Sequence, residues 1–311
     1  MSASNPATGT PLADTPADTP APGTPVPQVP PTAARPRRSG GTAVTYAVLS
    51  LGAVAFLFPF YYMIVGSLRR TTTGDLSSAV PSGLTGGSYT AVNGAISLGR
   101  SLLNSGIMTI GVLLCTLVFG VLAGYALAQL HFRGRGTVFA SLLLVQMVPF
   151  QLLTLPLYVL VVRDYGLGDN YIGMILPFAI NSTAVFLFRQ FFLQLPQSLF
   201  EAARLDGAGE LRILWKVALP MARPAVLTAM LLTFIGPWNE FLWPFLVTKD
   251  ADMQPLAVSL ASFLSNLQGT VANPTGALLA GACVLAAPAV ALFLLFQRHF
   301  TSTDIDSATK G

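Results

Sequence analysis

Charge is what this sequence most conspicuously lacks. Of its 311 residues, 10% are Asp, Glu, Lys or Arg, against about 25% in a soluble domain. That deficit excludes an ordinary soluble enzyme. Two histidines, His131 and His299, and two cysteines, Cys115 and Cys283, complete a short inventory of chemistry-bearing side chains. Neither pair has metal-ligand spacing. The cysteines sit in apolar runs and read as buried reduced thiols, and the histidines flank apolar runs and read as side chains reaching into water. No G-x-x-x-x-G-K-[ST] occurs, so the chain has no P-loop for ATP, and no G-x-S-x-G or H-E-x-x-H occurs either. A membrane-embedded enzyme therefore finds no nucleophile–base pair or metal set to work with. The net charge of +4 does not mark a nucleic-acid binder. The basic residues lie in short segments between apolar runs, where they report topology.

What is abundant is apolar length. The hydrophobic share is 53% and the mean hydropathy +0.64. Charged residues are absent from 39–68, 101–132, 136–162, 170–188 and 253–297. A bilayer core takes roughly 20 apolar helical residues to cross. The runs predict an all-α membrane protein with six spans, at about 42–68, 102–130, 138–162, 171–188, 224–247 and 276–296. Residues 253–275, uncharged but rich in Ser, Asn, Gln and Gly, are expected to be loop. Residues 1–38 hold 10 of the 23 prolines and no apolar run, and are expected to be a disordered tail.

If the N-terminus is cytoplasmic, twelve of the 17 Lys and Arg fall on the inside and five on the outside. This is the sense of the positive-inside rule, and six spans then put both termini in the cytoplasm. Prolines at 149, 156, 177, 237, 244 and 288 lie inside spans. They either kink helices around a cavity or are simply tolerated there. Gly120 and Gly124 form a GxxxG pair suited to close helix packing. Glu240 is the one carboxylate deep in a span.

The longest inside loop, 189–223, carries signals of its own order. Pro196 ends the preceding helix. Ser198 and Glu201 have capping-box spacing for a new short helix. Ala202 and Ala203 give it a small face, and Gly207 suits a left-handed C-terminal cap. Leu211, Leu214 and Trp215 follow at helical spacing, and Leu219-Pro220 turns the chain back. Such a segment suits docking to a cytoplasmic protein, or it is a well-capped interfacial helix.

Glu201-Ala202-Ala203, Gly207 and Leu219-Pro220 stand at the spacing of the EAA loop of ABC importer permeases, which this segment resembles. Asp206 and Ala208 match the narrower form of the carbohydrate-uptake subfamily. Asn104-Ser105, 132–135, Leu176-Pro177, 189–192, 238–244 and 296–298 resemble that subfamily in register. The similarity covers about residues 42–311 and is closest to the maltose-type six-span subunit.

The resemblance implies the MetI-like permease fold with a cytoplasmic coupling helix, in a bacterial cytoplasmic membrane. It divides the chain into a tail 1–38, a permease domain 39–300 and a C-terminal tail 301–311. It implies a second permease subunit in a heterodimer, two ATPase subunits that bind ATP and Mg, and an extracellular sugar-binding lipoprotein or periplasmic protein. The chain itself would be non-catalytic and hold no cofactor or metal. ATPase coupling would fall to Glu201, Ala202, Ala203, Asp206, Gly207, Leu219 and Pro220. Trp238, Asn239 and Glu240 are either a gating cluster on the pathway or, for the tryptophans at 238 and 243, an aromatic belt. Asn266, Gln268 and Asn273, in the polar stretch 248–275, are candidate contacts for the binding protein or a solvated connector. The rival reading is a secondary transporter using Glu240 as its proton or ion site. The stretch 301–309, with Asp304 and Asp306, departs from the more apolar tail of the subfamily.

Overall fold

Backbone amides in hydrocarbon find no water, so an apolar run must satisfy them within itself, as helix. The computed structural model describes residues 39–308 and, of these, the side chains of all but 39–42, 267–268 and 298–308. The expected tail 1–38 lies outside the described residues. No strand occurs among the described residues, only an isolated bridge between Arg69 and Leu84.

Helix α1 is Ser39–Leu68, α2 Gly87–Ile96 and α3 Leu98–Gln129. Then come α4, Arg135–Gln146, and α5, Phe150–Tyr158. Helix α6, Tyr171–Ile175, is extended by a 3-10 turn to Phe178, and α7 is Ser182–Gln194. The loop holds α8, Gln197–Leu205, then α9, Glu210–Ile213, and α10, Leu219–Met221, joined by a π turn. Helix α11 is Arg223–Asn239, α12 Leu242–Val247, α13 Leu256–Ser262 and α14 Pro274–Ala308. The contacts divide the chain after Gly52, and the described part of the first unit is helix alone.

Three helices, at 43–68, 98–129 and 274–297, are each long and apolar enough to cross a membrane. Three bent pairs bring the number to six if each pair is one span. The expected third span is therefore not one helix. α4 and the segment Phe150–Asp164 meet at 93°. Pro149 supplies no donor, so α4 closes on Met147 N–H to Leu144 O and α5 starts afresh. The expected fourth span bends by 50° between Phe178 and Ser182. The expected fifth span stops at Asn239, and Glu240 is extended, with ψ 127°.

One further expectation is corrected. Residues 253–275 are not all loop, because α13 lies within them. Its Leu256, Leu260 and the following Phe263 are buried with Val92 of α2, Leu98 of α3, and Ala277 and Ala280 of α14. Within α13, Ser259 Oγ meets Ser101 Oγ at 2.8 Å. α14 runs on past residue 300, to Ala308.

α3 and α7 form the centre. A Cβ on Gly124 would stand 2.6 Å from Phe188 Cβ and 3.0 Å from Arg189 N, so only hydrogen at that position permits the approach. Gly120 faces the Phe188 ring. Replacing Gly124 by Ala should cost about 1–3 kcal/mol through overpacking. Gly106→Ala, where a Cβ meets nothing within 4 Å, should cost none. Thermal unfolding of the purified protein compares them; equal midpoints would mean that the α3–α7 contact is not tight.

Candidate functional site

The loop between α7 and α11 presents a helix on a single apolar anchor. Pro196, extended with ψ 122°, stands at the N-cap of α8. Ser198 therefore lies inside the first turn, and the expected capping box does not form. Proline at the cap ends α7 and starts α8 in one residue, and no side chain caps it. At the other end the expectation holds. Gly207 has φ 75°, Gly207 N–H donates to Arg204 O, and Ala208 N–H donates to Ala203 O, both at 3.0 Å. This is the paired closure of a Schellman motif, which a β-branched residue resists.

Phe200 is the anchor, fully buried with Tyr125, Phe192, Ile213 and Leu214. Around it α8 is open: Glu201, Ala202, Asp206 and Gly207 are exposed, and Ala203 is half-buried against the same cluster. The seven coupling candidates are thus brought to one loop, with Leu219 half-buried and Pro220 exposed at its far end. Leu211, Leu214 and Trp215 do not share a buried face. Leu214 is buried, whereas Leu211 and Trp215 are exposed, and the inward set is Ile213, Leu214 and Ala218.

One polar cluster ties the loop to α3, and no sequence motif pointed to it. Tyr125 OH donates to Glu210 Oε2 at 2.7 Å. Arg204 Nε donates to Glu210 Oε1 at 2.8 Å. The Arg204 guanidinium, and less strongly the Tyr125 hydroxyl, hold the Glu210 carboxyl below the usual glutamate value.

The other candidates lie at the far end of α3. Trp238 is buried and its Nε1 donates to Leu285 O at 2.9 Å. Trp243 is fully buried against Met108 and Val161, with Nε1 donating to Gly173 O at 3.0 Å. Both indoles are spent inside the protein, which removes the aromatic-belt alternative. Asn239 Nδ2 donates back to Ile235 O. Glu240 occupies the break after α11, and its Oε1 accepts from Trp243 N–H at 3.2 Å. Glu240 also lines a cavity of about 270 Å³ with Asn181, Thr233 and Gly236.

Asn266 is exposed beyond α13, while nothing is described of the Gln268 side chain. Asn273 turns inward. Its Oδ1 accepts from Thr72 N–H and Gly276 N–H, both at 3.1 Å, and its Nδ2 donates to Arg69 O at 3.0 Å. It caps α14 and fixes the 69–72 segment, so it is not free to meet a partner. Asn104 acquires a role in the structure as well. Its amide donates to Asp252 O and Gln254 O, and its Oδ1 accepts from Tyr171 OH.

The pH sign for Glu210 follows from its lowered pKa. Its ion pair stabilises the loop above the ordinary glutamate range and is lost as pH falls through the lowered value. Both partners are more than a third exposed, at 36% and 40%, so the pair is worth less than about 1 kcal/mol. Glu210→Gln should leave global stability nearly unchanged and speed amide exchange across 197–213. Unchanged exchange would show that the pair does not hold the loop.

The family model described as "Binding-protein-dependent transport system inner membrane component" matches residues 116–302. The chain is 33% identical over 264 residues to the arabinooligosaccharides transport system permease protein AraQ of Bacillus subtilis (strain 168), covering 83% of this chain and 92% of that one. It is 31% identical over 282 residues to the sn-glycerol-3-phosphate transport system permease protein UgpE of Yersinia enterocolitica, covering 87% and 98%. Among solved structures, a bacterial ABC transporter that imports the acidic polysaccharide alginate matches with a TM-score of 0.74 and 27% identity, over 85% of this chain and 98% of that one. The exposed, separately capped loop on a bundle of apolar helices, together with these matches, makes the chain a member of the binding-protein-dependent transport system inner-membrane family: an ABC importer permease.

Proposed function

We propose that this permease carries a sugar or oligosaccharide across the bacterial cytoplasmic membrane, and that residues 201–220 couple it to the ATPase. The observation that carries the coupling is α8: a helix exposed on most of its surface, closed by Gly207 and fastened through Phe200. A partner that grips such a helix moves the bundle through one rigid contact. The cargo class rests on the arabinooligosaccharide relative and the saccharide-importing structural neighbour.

The working assembly is a heterodimer of two permeases with two ATPase subunits on the cytoplasmic side and a sugar-binding protein outside. The basic residues support an inward loop 189–223 and cytoplasmic termini, including the tail 1–38. ATP and Mg belong to the ATPase subunits, because this sequence has no P-loop. ATP enters the cycle only through contacts that differ between the inward-open and outward-open states. Glu201, Ala202, Ala203, Asp206 and Gly207 form the gripped surface, and Leu219 and Pro220 lead it into α11. Trp238, Asn239 and Glu240 form the outer gate. Asn266, with its neighbour Gln268, belongs to the surface that receives the binding protein, and Asn273 supports that surface from within.

The test is the complete complex in liposomes, with arabinotriose as cargo. Wild type should accumulate it only with ATP, and loss of the Walker lysine in the ATPase should abolish uptake. The double variant Ala203→Glu, Gly207→Val should insert and pair with the second permease. It should fail to import, and either lose the ATPase on purification or hydrolyse ATP without uptake. Wild-type import by that variant would reduce the loop to a connector. Separately, Asn266→Arg should weaken the stimulation of ATP hydrolysis by liganded binding protein; unchanged stimulation removes Asn266 from the docking surface.

A further inference from the structure

The cavity beside Glu240 lies where two membrane helices are interrupted. α6 and its 3-10 turn end at Phe178, and α7 begins at Ser182. α11 ends at Asn239, one turn after Gly236. The cavity of about 270 Å³ is walled by Val112, Phe178, Leu232 and Pro237, with Asn181, Thr233 and Glu240 as its polar groups. A second cavity, of about 120 Å³, shares Asn181, Leu232 and Thr233 with it and adds Thr183. The two form a groove along α7 and α11.

The polar groups have capacity to spare. Asn181 Oδ1 accepts from Ala184 N–H at the start of α7, and its NH2 group donates to nothing among the described residues. Glu240 uses Oε1 on Trp243 N–H, which leaves Oε2 to accept. Thr233 lines both cavities, and its hydroxyl has no partner among the described residues. Two buried hydroxyls without a partner, Thr109 and Thr116, share the α3 face with Val112, at helical spacings of three and four residues. Polar side chains inside a membrane bundle face protein or a watered path, not lipid. Gly236 opens the floor of the groove: a Cβ there would meet nothing within 4 Å.

We infer that this groove is a cargo-contact subsite for neutral polyhydroxyl compounds, and that Glu240 makes it reject anions. The inference rests on the saccharide-import reading and adds that this subunit itself touches the cargo. The amide NH2 donates, the Glu240 carboxylate accepts, and the Thr233 hydroxyl does either. Together they match the alternating donors and acceptors of a sugar's hydroxyls, while Phe178 and Leu232 cover its C–H faces. No Lys or Arg lines either cavity. A carboxylate or phosphate on the cargo would therefore meet Glu240 with nothing to neutralise it, in a low-dielectric wall where like charges repel strongly. Of the relatives described above, one is named for arabinooligosaccharides and others for sn-glycerol-3-phosphate or an acidic polysaccharide. The groove sides with the first chemistry.

Saturation-transfer NMR on the complete permease–ATPase complex in nanodiscs, without binding protein, tests this apart from transport. The probes are arabinotriose, which is neutral, and trigalacturonate, which is anionic. Wild type should transfer saturation to arabinotriose and not to trigalacturonate. Gly236→Leu, whose Cβ would stand in open space and whose side chain would occupy the groove, should abolish the arabinotriose signal. The isosteric Thr233→Val should weaken binding about fivefold to tenfold, as the loss of one neutral hydrogen bond does. Glu240→Gln should admit trigalacturonate. Equal arabinotriose signals from wild type and from both Gly236→Leu and Thr233→Val, or none from wild type, overturn the subsite. A trigalacturonate signal from wild type overturns the charge filter. These results leave the import reading standing if the liposomes still accumulate arabinotriose; failure of all ATP-dependent saccharide uptake is the separate failure of that reading.

Discussion

The approach of α3 to α7 at Gly124 and Phe188 is the contact on which the remaining geometry depends. Because no Cβ intervenes, Arg189 Nε reaches Leu127 O and Gln129 Nε2 reaches Phe192 O at 2.7 Å. These bonds fix where α7 ends, and so where Pro196 starts α8. In hydrocarbon there is no hydrophobic drive to hold two helices together, so close packing and satisfied polar bonds must do it. α3 then acts as a strut. Asn104 near one end holds the 252–254 segment, and Tyr125 near the other holds Glu210. The 21 steps from residue 104 to residue 125 span about 32 Å of helix.

Against that strut, the helix interruptions set the character of each end. Pro149 and the breaks at 179–181 and 240 release backbone and polar side chains that a membrane tolerates only where they line protein or a cavity. Two of these breaks meet at the groove that Glu240 lines. The third, at 93°, turns the segment Phe150–Asp164 to pack Val161 and Phe150 onto Trp243. Trp243 in turn supplies the N–H that Glu240 accepts. The carboxylate is held from one side and left with an open acceptor on the other.

At the opposite end the design is different: the loop is exposed and its order is local. The Schellman closure at Gly207, the Phe200 anchor and the Arg204–Glu210–Tyr125 link make α8 rigid against α3, while its outer surface stays available. A rigid, exposed helix transmits displacement; a flexible one would absorb it. The proposed coupling therefore rests on the internal bonds of the loop as much as on its motif residues.

The sequence by itself determined the helical class, because runs with almost no charge admit no other solution in a bilayer. It also determined that a short helix follows Pro196 and that Gly207 is left-handed, because both are local, and it pointed to the close packing at Gly120 and Gly124. What it could not decide was anything settled by a distant partner. α13 looked like loop because polar breaks follow it at 265–274, yet it packs into the bundle and its Ser259 is paired with Ser101, 158 residues away. Ser198 had capping-box spacing, but the competing signal of Pro196 set the cap two residues earlier. Asn273 looked available, and is occupied by Thr72 and Arg69. Trp243 looked interfacial, and Gly173 O takes its N–H. Only the tertiary structure chose where each polar group in an apolar surround finds its partner, because that choice depends on which segments meet and not on which residues are neighbours in the chain.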